Sequence, residues 1–125
     1  MANVTIRRIE EIDPYSGPHA IEGIRFRPAR DALGVSAWGM NLLELDPHCE
    51  GYPQHDHAAD QHEEVYVVLR GSVVLQVNGE EHTLTEGTLV RVAAELSRKL
   101  VTRAEGATIL ALGGTPGKAY SPSMG

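Results

Sequence analysis

The chain has 125 residues, 42% of them hydrophobic and 22% charged, with a formal net charge of −6. That is one domain's worth of chain, long enough for a real core and ordinary for a soluble globular protein. The acidic balance, with no Lys/Arg cluster longer than a pair, argues against nucleic acid or an anionic membrane as partner, since both need a basic patch.

Met1 to Glu11 holds no apolar core of signal-peptide length, and no run approaches the length of a membrane span. The single cysteine, Cys49, rules out an intrachain disulfide, and a cytoplasmic protein is expected. Val4 to Ile9 reads as a first strand at a sheet edge. Asp13-Pro14-Tyr15-Ser16-Gly17-Pro18 is a turn cluster. Ile24 to Arg27 reads as a short strand, and Asp31 to Leu33 supports at most one helical turn. Val35 to Leu45 is long and apolar, with Trp38, Met40 and Leu42 on one face, and it stops at Asp46-Pro47.

The histidine-rich stretch comes next. Val65 to Leu69 and Ser72 to Val77 then read as two strands tightly linked by Arg70-Gly71. Asn78-Gly79 is the strongest hairpin signal in the chain, joining Val73–Val77 to Glu81–Leu84. Glu86-Gly87 is another turn. Thr88–Val92, Lys99–Arg103 and Ala107–Leu112 complete the strand series, and Lys118–Gly125 reads as a loose tail. No window holds a sustained helical period. Short strands with turn signals at this spacing predict an all-β jelly-roll barrel, a double-stranded β-helix.

The chemistry is concentrated in His55-Asp56-His57-Ala58-Ala59-Asp60-Gln61-His62-Glu63-Glu64. His55 and His57 are two apart, so on an extended backbone both side chains leave one face. His62, Glu64, Tyr66 and Val68 keep the same alternation on the following run. Two strands with these faces aligned would aim two or three imidazoles and one carboxylate at one spot. Neutral imidazole with carboxylate suits a first-row divalent metal and leaves coordination positions open. His-x-His alone is a weak signal, and the competing reading is a pair of solvated loop histidines. Glu63, on the opposite face from Glu64, reads as an exposed charge. Cys49, in a loop with no orienting partner, reads as an inert thiol.

This segment resembles the first motif of the cupins: a Gly, His-x-His, a Glu and a closing Gly. Gly51 precedes His55, and Glu64 stands seven residues before Gly71, as in that family. Six residues separate His57 from Glu64, more than is usual there, and Ala58–Gln61 reads as a longer loop. The resemblance is to small single-domain cupins. It covers residues 35–120 and implies a barrel there; no motif covers the N-terminal stretch, where a strand and connecting segment at 1–34 are expected to pack on the barrel, with a C-terminal tail at 121–125. It also implies a homodimer.

The family's second motif places a Pro, a Gly and a metal-binding His after its opening Gly. Counted from Gly87, those positions fall on Ala93, Glu95 and Arg98. An arginine stays protonated and offers no lone pair to a cation. The metal therefore takes fewer protein ligands, or His62 supplies the fourth, or no metal binds. The expected metal ligands are His55, His57, Glu64 and His62, for zinc, iron, manganese or nickel. Arg98 is expected to clamp an anionic group of a small organic ligand, with Tyr66, Trp38 and Met40 as wall residues. Two functions stay open: a metal-dependent oxygenase or isomerase, and a non-catalytic ligand-binding barrel with structural metal or none.

Overall fold

The structure, a computed structural model, describes residues 3–122. Seven strands dominate it: β1 (Ile24–Arg27), β2 (Gly39–Leu45), β3 (Glu63–Val77), β4 (Glu80–Thr85), β5 (Leu89–Val92), β6 (Arg98–Val101) and β7 (Ala107–Gly114). The helical content among the described residues is one 3-10 turn, Ile9–Glu11, and one short helix, α1 (Ala29–Leu33). The fold is all-β and antiparallel, as the turn spacing predicts. β1, β2, β7 and β3 lie side by side, and β5 pairs the first half of β3. The second half of β3 carries β4 on one edge and β6 on the other.

β3 is the axis of the barrel. The tight link expected at Arg70-Gly71 does not form, and the chain runs on as one strand of 15 residues. A register shift between Val68 and Arg70 bends it instead, so its two halves serve different sheets. Gly71 makes that bend possible. It has φ +76, and a Cβ there would stand 2.0 Å from the Gly106 carbonyl oxygen. Only a residue without a Cβ fits both the conformation and the space. The Asn78-Gly79 hairpin forms as expected: Val77 pairs with Glu80, and both turn residues have positive φ, as a type I′ turn requires.

Alternation along the strands divides the apolar residues between two layers. Leu43 and Leu45 of β2 join Tyr66, Val68, Leu75, Leu100 and Ile109 in the barrel core. Met40 and Leu42 face the other way, under Ile12 and Ala29. Each fully buried aliphatic side chain contributes roughly 1.5–3 kcal/mol relative to exposure.

The N-terminal expectation changes. Val4–Ile9 forms no strand; Val4 and Ile6 are 73% and 78% exposed, and the segment ends in the 3-10 turn. Its alternating pattern finds no sheet partner. Beside the β1 edge, Tyr15 N–H already donates to the Phe26 carbonyl at 2.7 Å. The expected strand from Val35 starts only at Gly39. At the other end, Tyr120 is packed rather than loose: its ring stacks on His62, with the Arg30 guanidinium 4.9 Å from its centroid. Gly39 makes room for it, since a Cβ there would meet the Tyr120 hydroxyl at 2.6 Å. The last three residues of the expected tail, 123–125, lie outside the described residues.

Candidate metal centre

The segment carrying His55 and His57 is extended and is held chiefly by backbone bonds to the stretch at Ala94–Arg98. His55 exchanges both bonds with Arg98, at 3.0 and 2.8 Å, and His57 N–H donates to the Ala94 carbonyl at 2.7 Å. That pairing sends both imidazoles to one face and seats Arg98 beside them. Glu64 enters from the start of β3, one alternation before Tyr66.

The imidazole tautomers are set by their second nitrogens. His55 Nδ1 lies 3.1 Å from the Pro53 carbonyl oxygen, which can only accept. His57 Nδ1 lies 3.1 and 3.2 Å from the two Asp60 carboxylate oxygens. Each Nδ1 therefore carries the proton, and each Nε2 presents a lone pair. Those Nε2 atoms lie 3.4 Å (His55) and 3.2 Å (His57) from Glu64 Oε1. His55 Nε2 is buried with no hydrogen-bond partner. Three ligand atoms within 4.8 Å of one another, one of them an orphaned buried nitrogen, fit a divalent cation.

Glu64 is the hub of this cluster. Its Oε1 accepts from Tyr66 OH at 2.9 Å and from Arg98 Nη1 at 2.6 Å. Burial works to raise its carboxyl, but His55, His57, Tyr66 and Arg98 outweigh that and hold it below the usual range. For the His55 imidazole, burial favours the neutral form, yet Glu64 and the Pro53 carbonyl raise it above the usual value. Tyr66 has one hydroxyl proton and gives it to Glu64, so Tyr52, 3.3 Å away, must donate to Tyr66. Desolvation raises both phenols well out of their ordinary range and keeps them neutral donors.

Arg98 reaches the site, but not as a clamp for a ligand. It is fully buried, with Nη1 on Glu64 and Nη2 donating to the Ala93 carbonyl at 2.7 Å. His62 does not complete the first group either. It clusters with His57 and Asp60, and its ring stacks between those of His57 and Tyr120. The extra residues between His57 and Glu64 build this arrangement. Gln61 N–H closes a turn onto the His57 carbonyl at 2.7 Å, with Gln61 at φ +58. His62 N–H caps Asp60 Oδ1 at 3.1 Å, and Thr115 Oγ1 pins the Asp60 carbonyl at 2.7 Å. Asp60 thereby orients His57, a role that its spacing three residues after His57 could have suggested.

The cluster opens into a cavity of about 550 Å³. Its wall is not the expected one. Trp38 is 48% exposed, Met40 packs in the outer layer and Tyr66 is sealed in the core, and none of them lines the cavity. Ile24 and Phe26 of β1, Leu43 of β2, Ala111 of β7, Tyr52 and Tyr120 do.

A seven-stranded antiparallel barrel with two histidines and a glutamate beside its cavity defines a small β-barrel with a candidate metal site. The sequence profile of the cupin domain matches residues 41–112, more than half of the chain. The chain belongs to the cupin family. It is similar to a sugar phosphate isomerase of the cupin superfamily from Silicibacter pomeroyi, 25% identical over 85% of this chain and 73% of that one, with a TM-score of 0.73. A cupin protein from Bacteroides fragilis is 21% identical, covering 89% and 92% of the two chains, with a TM-score of 0.64. A predicted oxalate decarboxylase from Thermotoga maritima is 19% identical, covering 86% and 96%, with a TM-score of 0.68; these last two show the shared fold alone. Comparison with curated proteins finds no match. Among the described residues, no helix is long and apolar enough to cross a membrane.

Proposed function

We propose that this protein binds a divalent metal through His55, His57 and Glu64 and receives a small organic molecule in the adjoining cavity, as an isomerase- or oxygenase-type enzyme. One observation carries the reading. Both histidines have Nδ1 committed to an oxygen acceptor, so two Nε2 lone pairs and the Glu64 carboxylate converge where the cavity begins. When bound, a divalent cation supplies a Lewis acid with open coordination positions. The chain's own residues do the rest. Asp60 and Pro53 hold the imidazole orientations, Tyr66 and Arg98 hold the Glu64 carboxylate, and the apolar wall bounds the space for the organic molecule.

Purified protein loaded with zinc, iron, manganese or nickel should hold about one ion per chain by elemental analysis. His55→Ala and His57→Ala should each abolish binding, and Asp60→Asn should weaken it by roughly tenfold. Full metal content in either histidine variant would remove that residue from the ligand set.

A second reading, a non-catalytic ligand-binding barrel, draws support from Arg98. A guanidinium bonded to Glu64 disfavours a second cation nearby, so the centre is a weak one. Turnover that depends on bound metal supports the first reading, and ligand binding with no turnover in the metal-loaded protein supports the second.

A further inference from the structure

The cavity has an unusual shortage of positive charge. Among the described residues that line it there is no lysine and no arginine. The nearby guanidinium groups are engaged elsewhere. Arg98 is bonded to Glu64 and Ala93. Arg25 and Arg27 leave the opposite face of β1 to meet Glu44, with Arg25 also on Asp46 and Arg27 on the Ile12 carbonyl. Arg30 stacks on Tyr120 and donates to Asp31.

The wall away from the histidines is apolar and aromatic. Ile21, Ile24 and Phe26 come from the N-terminal segment, and Leu43 and Ala111 from the barrel. Asn41, His19 and the Tyr15 hydroxyl are polar groups of the lining outside the cluster, and none of them is a fixed cation. A phosphate or a second carboxylate placed there would lose its water against hydrocarbon and find no counter-charge, which is costly. Apolar surface placed there gains by leaving water. The cavity volume, about 550 Å³, is that of a small-molecule site.

We infer that the ligand is an uncharged, largely apolar organic molecule with one oxygen-bearing end, a carbonyl or hydroxyl, directed at His55, His57 and Glu64. The inference rests on the reading of that cluster as the polar end of the site, and it assigns selectivity to Ile21, Ile24 and Phe26. These three lie outside the matched family residues 41–112, so this wall belongs to the chain's own N-terminal segment.

The test titrates the intact protein, zinc-loaded and EDTA-treated, with 4-phenyl-2-butanone and with ribose 5-phosphate by calorimetry. The ketone should bind at least tenfold more tightly than the phosphate ester to the zinc-loaded protein. The same order should persist after EDTA treatment, because the wall is unchanged. Phe26 is 37% exposed and tolerates substitution. Phe26→Ala should weaken the ketone several-fold, while Phe26→Arg should weaken the ketone and strengthen the phosphate ester. Equal or tighter binding of ribose 5-phosphate by the parent overturns the inference, as does failure to bind the ketone. A protein that takes up no zinc yet keeps the ketone preference sinks the metal reading and leaves this one standing.

Discussion

Arg98 lies beside the His55, His57 and Glu64 cluster. Its guanidinium donates to the one carboxylate oxygen that both Nε2 atoms approach, at 2.6 Å. A cation at the site must share Glu64 with that fixed positive charge, and like charges repel. Replacing it with a neutral imidazole removes the repulsion and adds a donor. Arg98→His should therefore raise zinc and cobalt affinity by about tenfold or more, read by calorimetric titration against the parent. Equal or weaker affinity would mean that Arg98 supports Glu64 more than it opposes the metal. The Arg98 Nε is buried without a partner, so the guanidinium is held by its two Nη atoms alone.

At the scale of elements, β3 and β2 carry the argument. Gly71 lets β3 pass from one sheet to the other, and no side chain fits between it and Gly106. Gly71→Ala should destabilise the fold by more than about 2 kcal/mol in chemical denaturation, well beyond an ordinary surface change. On the outer face of β2, Glu44 accepts from Arg27 at 2.7 Å and from Arg25 at 3.1 Å, tying β1 to the sheet. Burial raises its carboxyl, but the two guanidinium groups prevail and hold it below the usual range. A carboxyl lowered in the folded state contributes stability that is complete above its unfolded value and is lost as pH falls through its folded one. Glu44→Gln should cost about 1 kcal/mol near pH 7, and the gap from the parent should close toward about pH 2. A gap that does not change with pH would assign the loss to packing.

For the whole molecule, the cupin resemblance carries the expectation of a homodimer, and β1 and β4 are the ends of the main strand order. Unpaired edges invite pairing or cover. Light scattering should give twice the chain mass of 13.5 kDa, and a monomer would refute the dimer.

Much of this protein is local physics and can be read without coordinates. Asn78-Gly79 dictates its hairpin because both positions need positive φ. Ile24–Arg27 matches its strand residue for residue, and His55, His57 and Glu64 share a face because alternation on extended chain demands it. What depends on distant partners was decided only by the tertiary structure. The Val4–Ile9 pattern needed a sheet partner, and the fold pairs none with it. Arg70-Gly71 looks like a turn because a glycine with positive φ serves a turn and a bend equally well, and only the close approach of Gly106 distinguishes them. Met40 and Leu42 share a face by alternation alone, but which face meets the barrel core depends on α1 and Ile12 covering the other. Asp60 became the partner of His57 through a loop pinned by Thr115, 55 residues away. Tyr120 reached His62 across the Gly39 gap. Apart from the His57–Asp60 pair itself, each of these contacts joins residues well separated in the chain, so neither periodicity nor spacing could carry it.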